Sequence, residues 1–206
     1  MTKKKKISLL VAVVIILTTA LVITLHLLTK KVEGPFVDEV NLDDTKSVEV
    51  PKLTNPQIIG TSVEGRSIES YTFGQGSTTL LFVGGMHGGY EWNSVLLAYA
   101  IIDDLLAENI KIPDGLSVEI IPSLNPDGIY KVAGKEGRFV ATDVRKDTKN
   151  GEGRFNANRV DLNRNFDCKW QPNSTWRSQK VSAGTSVFSE PEAQALKKFV
   201  EVKNPS

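Results

Sequence analysis

Two short apolar runs flank an amphipathic stretch, and that order decides the class of fold open to this chain. Residues 79–83, Thr-Leu-Leu-Phe-Val, form an apolar run closed by Gly84 and Gly85, the pattern of a strand buried on both faces. From Trp92 the period changes: Trp92, Val95, Leu96, Tyr99, Ile102, Leu105 and Leu106 recur at three and four, which predicts a helix to about Ala107. Residues 116–121 form a second strand of the buried type. This β-α-β order predicts an α/β fold with a parallel core. Upstream, Gly60 to Ser67 reads as a turn leading into a strand at 68–73, where Ile68, Ser70 and Thr72 alternate with Glu69, Tyr71 and Phe73. Gln75-Gly76-Ser77 reads as another turn. Residues 131–160 show little periodicity, and structureless stretches beyond about 12–15 residues in a compact domain are usually functional or disordered. Ser189-Glu-Pro-Glu192 spells a capping box, with Ser189 as N-cap, and Ala193, Leu196, Phe199 and Val200 continue it as a helix.

The first 31 residues stand apart. Residues 7–29 carry no formal charge and are mostly Leu, Val and Ile; as a helix they reach about 34 Å, enough for a hydrocarbon core of about 30 Å. A cleaved signal peptide is the competing reading, but its apolar region is about 7–15 residues long and ends in a small-residue site. Here the run ends in Leu27-Leu-Thr-Lys-Lys31 with no A-x-A pattern, so an uncleaved transmembrane anchor is expected. Four lysines precede it and two follow, which places residues 1–6 in the cytoplasm as a basic tail and the folded part outside. His26 falls inside this span and carries no assigned role. Residues 30–56, polar and with Pro35, Pro51 and Pro56, read as a linker, leaving 57–206 as one domain.

Composition narrows the partners. The chain has 206 residues, 40% apolar and 24% charged, values of a folded protein. Six of its 25 basic residues lie in the first 31 positions, leaving 19 against 24 acidic ones beyond them, a net charge of −5. A nucleic-acid partner is therefore not expected. A single cysteine, Cys168, excludes an internal disulfide and a four-cysteine zinc site. Without a second histidine in the exterior part to activate it, Cys168 reads as structural. Asn173-Ser-Thr175 fits a glycosylation sequon.

Two clusters carry chemistry. Gly84-Gly-Met-His87-Gly-Gly-Tyr-Glu91 stands where the first buried strand gives way to the helix, and ligands of open α/β sheets bind at that carboxyl end. An imidazole and a carboxylate a few residues apart can converge on Zn²⁺; the plainer alternative is a solvent-facing His and a Glu favoured by the helix dipole. The second cluster runs from Gly153 to Asp167 and holds Arg154, Arg159 and Arg164 with Asn156, Asn158, Asn163 and Asn165. Guanidinium groups recognise carboxylates through paired hydrogen bonds, so this segment suits an anionic ligand; a solvated loop with Asn in turns is the alternative.

Taken together and in order, Ser62-Val-Glu-Gly-Arg66, His87 with Glu91, Asn125-Pro-Asp-Gly128, Val160-Asp-Leu-Asn-Arg-Asn-Phe166 and Ser189-Glu-Pro-Glu192 resemble the zinc carboxypeptidase family, the carboxypeptidase A-like metallopeptidases. The likeness covers about residues 55–200. It departs from the family at one point: the usual ligand pair is H-x-x-E, and here one residue more separates the two. The resemblance implies a mixed, mainly parallel sheet flanked by helices. It implies Zn²⁺ held by His87 and Glu91, and a peptide substrate whose free C-terminal carboxylate is held by Asn163 and Arg164. It also implies an arginine that polarises the scissile carbonyl, Arg154, with Arg145 in reserve. The family's third ligand is a histidine beyond the Ser-Glu-Pro-Glu helix, followed by a general-base glutamate. The expectation is therefore an N-terminal portion of such a domain, incomplete at the C-terminus. A free sheet edge, a poorly covered last helix and little activity of its own would follow. The substrates in view are peptides or cell-wall stem peptides. A non-catalytic carboxylate-binding module and a related zinc acylase stand as alternatives.

Overall fold

The computed structural model describes residues 56–206; the basic tail, the anchor and the linker up to residue 55 lie outside the described residues. Among the described residues no helix is long and apolar enough to cross a membrane.

The strands at Thr78–Val83 (β3) and Leu116–Ile121 (β4) lie side by side and parallel, with Phe82 opposite Ile120. The helix Trp92–Leu106 (α1) makes the crossover between them. Ser67–Gly74 (β2) pairs antiparallel with β4, Tyr71 opposite Ile120, and Gln57–Thr61 (β1) pairs antiparallel with β2. The sheet order is β1-β2-β4-β3. The sheet is mixed, as expected, but among these four strands the parallel character is confined to β3 and β4. β2 shows why: it adjoins β1 through a tight turn, which only antiparallel neighbours allow.

Alternation along β4 supplies a core on each face. Ile120 turns toward α1 and packs with Val95, Ala98, Tyr99, Ile102 and Tyr71. Ile121 turns to the other face and packs with Ile68, Leu124, Leu162, Leu196 and Phe199. Both isoleucines are fully buried, worth about 1.5–3 kcal/mol each relative to exposure. The last helix, Pro191–Lys203 (α3), is the layer on that second face. Ala193, Leu196 and Phe199 are buried, with Leu196 and Phe199 packed among Ile68 and Leu162, whereas Val200, read onto the same apolar face, is exposed. β1 escaped sequence reading because Gly60 looked like a turn. Its glycine serves packing instead, since a Cβ there would stand 2.5 Å from the Ala195 Cβ of α3.

A second short helix, Pro126–Ala133 (α2), opens with Asn125 accepting from Gly128 N–H at 2.9 Å and closes on Gly134 at φ 64°. That is an N-cap, an N1 proline and a left-handed glycine in their usual places. The stretch read as structureless also holds a 3₁₀ turn at Ala141–Asp143, and a second turn follows at Leu162–Arg164. A hairpin of Asn173–Trp176 (β5) and Gln179–Ser182 (β6) follows. The capping box at Ser189 does not form. The N-cap is Glu190, because the Ser189 hydroxyl donates to Glu190 and accepts from Asn165. Glu192 is buried and accepts from Val63 N–H at 3.1 Å and Asn156 at 3.0 Å.

Candidate active site

The chain leaves β3 through Gly84 and Gly85 and makes a 3₁₀ turn at Gly88–Glu91 before α1. This turn is pinned from three sides. Gly84 N–H donates to Ile121, Asn125 N–H donates to the Gly85 carbonyl, and Gly89 N–H donates to the Gly153 carbonyl. Gly88 has φ 42°, and a Cβ on it would stand 2.7 Å from the Gly153 oxygen. Glycine is required there both for the backbone angle and for the close approach. The result is a rigid mount for His87, which is buried.

Two carboxylates engage that imidazole. Its Nε2 lies 3.2 Å from Asp161 Oδ1, and its Nδ1 lies 2.6 Å from Glu91 Oε1. Asp161 is fully buried and also accepts from Arg154 at 2.8 Å and from the Asn163 N–H at 3.2 Å. Burial alone would raise its pKa, but the hydrogen bonds from His87 and Arg154 outweigh it and hold the carboxyl below the usual range. Asp161 is thus an anion placed to accept from an Nε2–H of His87, while Nδ1 lies within hydrogen-bond distance of the Glu91 carboxylate. An imidazole protonated on Nε2 would turn its Nδ1 lone pair toward that carboxylate, a pair of donors suited to a cation. A carboxylate behind a histidine is also the arrangement that orients metal-binding imidazoles.

Zn²⁺ is the group that the fold implies, and the donor chemistry fits it in part. A neutral imidazole nitrogen and a carboxylate oxygen are ordinary zinc donors, but a catalytic site normally has three protein ligands. Among the described residues no group of three or more His, Cys, Asp and Glu is placed to hold a metal ion.

Arg154 lies beside this pair, 4% exposed, with its Nε buried and without a hydrogen-bond partner among the described residues. Its guanidinium stacks 4.5 Å from the Trp176 ring and 5.5 Å from Tyr90. Arg164 donates to the Asn163 carbonyl at 2.9 Å and toward the Thr175 carbonyl at 3.4 Å. Asn163 and Arg164 line a cavity of about 440 Å³ together with Phe166, Trp170 and the exposed Cys168. Arg145 is elsewhere: its partners are Glu152, Asp147 and the Lys131 carbonyl. The structure therefore brings together His87, Glu91 and Arg154, ties the Asn163 backbone to them through Asp161 with Arg164 following it in the chain, and leaves Arg145 apart. Sequence reading did not single out Asp161, Tyr90, Trp176 or Arg177. Asp161 was within reach, standing two residues before Asn163 in the most distinctive run. The other three acquire meaning only once the hairpin is folded.

An imidazole and an acid mounted at the strand end, with Arg154 held beside them through Asp161, are the arrangement on which the family assignment can be checked. The chain belongs to the zinc carboxypeptidase family (Peptidase_M14), whose pattern matches residues 41–206 and so begins inside the stretch read as linker. Bacteriocin BCN5 of Clostridium perfringens is 32% identical over 161 residues, 75% of this chain and 16% of that protein. Carboxypeptidase M of Mus musculus is 30% identical over 144 residues, 64% of this chain and 30% of that protein. The carboxypeptidase A of Helicoverpa armigera superposes with a TM-score of 0.51 at 25% identity, covering 70% of this chain and 36% of that one. The chain thus spans well under half the length of each of these three relatives.

Proposed function

We propose that this chain carries the substrate-gripping half of a membrane-anchored zinc carboxypeptidase site acting on peptides with a free C-terminal carboxylate outside the membrane. In this reading residues 7–29 are the anchor, and His87 and Glu91 hold Zn²⁺. When bound, the metal lowers the pKa of water toward about 7 and polarises a carbonyl. The chain's own residues do the rest. Asp161 keeps the proton of His87 on Nε2 and the Nδ1 lone pair outward. Arg164 and Asn163 take the terminal carboxylate through charge-assisted hydrogen bonds. Arg154, preorganised by Asp161 and Trp176, offers its remaining donors to the scissile carbonyl, where negative charge develops. Membrane partnership and an outward orientation rest on the charge asymmetry around residues 7–29.

The observation that supports this most is the coupling of His87, Asp161 and Arg154 in one buried array. The test is calorimetry on the detergent-solubilised full chain. Zinc uptake should be lost in His87→Ala, and a peptide with a free C-terminus should bind better than its amide. Absence of both would overturn the reading. A non-catalytic binding module is the second reading, favoured by the finding that among the described residues His87 and Glu91 are joined by no third donor placed to hold a metal ion. It expects peptide affinity that survives a chelator but falls in Arg164→Ala.

A further inference from the structure

The hairpin β5–β6 has no role in the reading above, yet it lies along the site. Three consecutive residues touch, in order, Arg164, Arg154 and Tyr90. The Thr175 carbonyl faces Arg164 at 3.4 Å. The Trp176 ring lies 4.5 Å from the Arg154 guanidinium. Arg177 donates to the Tyr90 hydroxyl at 3.0 Å, beside Glu91. The tip is unusual in composition. Arg177 and Ser178 have φ of 49° and 62°, angles that a two-residue hairpin turn normally gives to Asn and Gly. A side chain at a left-handed position is costly, and such cost concentrates at functional sites.

The direction of Arg177 is also fixed. Its guanidinium stands 5.0 Å from the Trp176 ring and 5.9 Å from Tyr90, while Trp176 itself is held edge-on against Tyr90 and Phe155. Among the described residues Arg177 pairs with no carboxylate, a state it shares with Arg159 and with Arg164, whereas Arg154 has Asp161 and Arg145 has Glu152. A cation stacked on an aromatic platform, oriented by a phenol and left without an anion, is prepared for one from outside.

We infer that Arg177 is a specificity-determining residue that receives a second carboxylate of the substrate, selecting peptides with an acidic side chain on the amino side of the scissile bond. The side follows from the order along the hairpin. Arg164 takes the terminal carboxylate and Arg154 the scissile carbonyl, so the next position, at Arg177, faces the residue before that carbonyl's partner. This rests on the proposed assignment of Arg164, and the experiment separates the two.

The solubilised full chain is titrated with acetyl-Ala-Glu-Ala, acetyl-Ala-Gln-Ala and the C-terminal amide of the first. The Glu peptide should bind about fivefold tighter than the Gln peptide, the scale of a well-placed exposed ion pair. Arg177→Gln should abolish that ratio. So should Arg177→Gly, which accepts the left-handed angle freely and controls for disturbance of the turn. Arg164→Gln should weaken both free peptides alike and preserve the ratio. Equal affinity for Glu and Gln peptides, with the free acid still preferred over the amide, overturns the role of Arg177 alone. Equal affinity for free acid and amide overturns the assignment of Arg164, and the inference with it.

Discussion

Asp161 is the residue on which the site turns. Its carboxylate has no solvent and three donors, from His87, Arg154 and Asn163. An Asn in its place presents an amide N–H₂ either to Arg154 or to His87 and Asn163, and Arg154 loses the one anion it pairs with among the described residues. Removing one partner of a buried ion pair typically costs about 3–5 kcal/mol because it leaves the other charge buried and uncompensated, a cost that removing that charge as well relieves. Asp161→Asn should therefore lower the urea midpoint sharply. Asp161→Asn combined with Arg154→Met should recover a large part of the loss. Additive destabilisation in the double variant would mean that the two side chains do not depend on each other.

At the scale of elements, the mount for His87 depends on glycines where backbones nearly touch. A Cβ on Gly128 of α2 would lie 2.2 Å from the Gly153 carbonyl. Helix propensity favours Gly128→Ala by up to about 1 kcal/mol, whereas overpacking against backbone costs about 1–3 kcal/mol. The second effect should win because the atom struck is a carbonyl that cannot rotate away. Urea unfolding should show net destabilisation, and zinc uptake should weaken as Gly153 shifts from Gly89. A stabilised variant would refute the close contact. The same elements show what the sequence can disclose. β3, α1 and β4 fall within a residue or so of expectation because each repeats its apolar pattern over its whole length. β1 and the hairpin are short and partly polar, and their turn residues are not the customary ones. The Ser189 box failed because a tertiary partner, Asn165, took its hydroxyl. Of the site, His87 with Glu91 stands out as a spaced pair and Arg154 as one arginine of a cluster, while the role given to Arg154 comes from the family resemblance. The joining of His87 and Arg154 through Asp161 is not legible, since 74 residues separate Asp161 from His87.

At the scale of the molecule, Glu192 links parts that sequence holds far apart. It sits in the first turn of α3 and ties the turn after β1, through Val63, to the arginine-rich segment, through Asn156. Burial holds its pKa above the ordinary 4.5, the nearby charge of Asp127 adds to the rise, and the hydrogen bonds to Asn156 and Val63 only partly offset it. A pKa raised on folding means that the group's favourable contribution is complete below the unfolded value and is lost as pH rises through the folded one. Asp161 has the opposite sign: its pKa is lowered, so its contribution is present above the unfolded value and is lost on acidification. Glu192→Gln removes the first titration and keeps the second. The stability difference between variant and parent should then move in the variant's favour as pH rises from about 4 to about 7, whatever its value at either end. Urea unfolding of both proteins across that range measures the trend. A gap independent of pH would mean that the Glu192 carboxylate is solvated in the folded protein, and the join between α3, the first turn and the arginine segment would then be open to water.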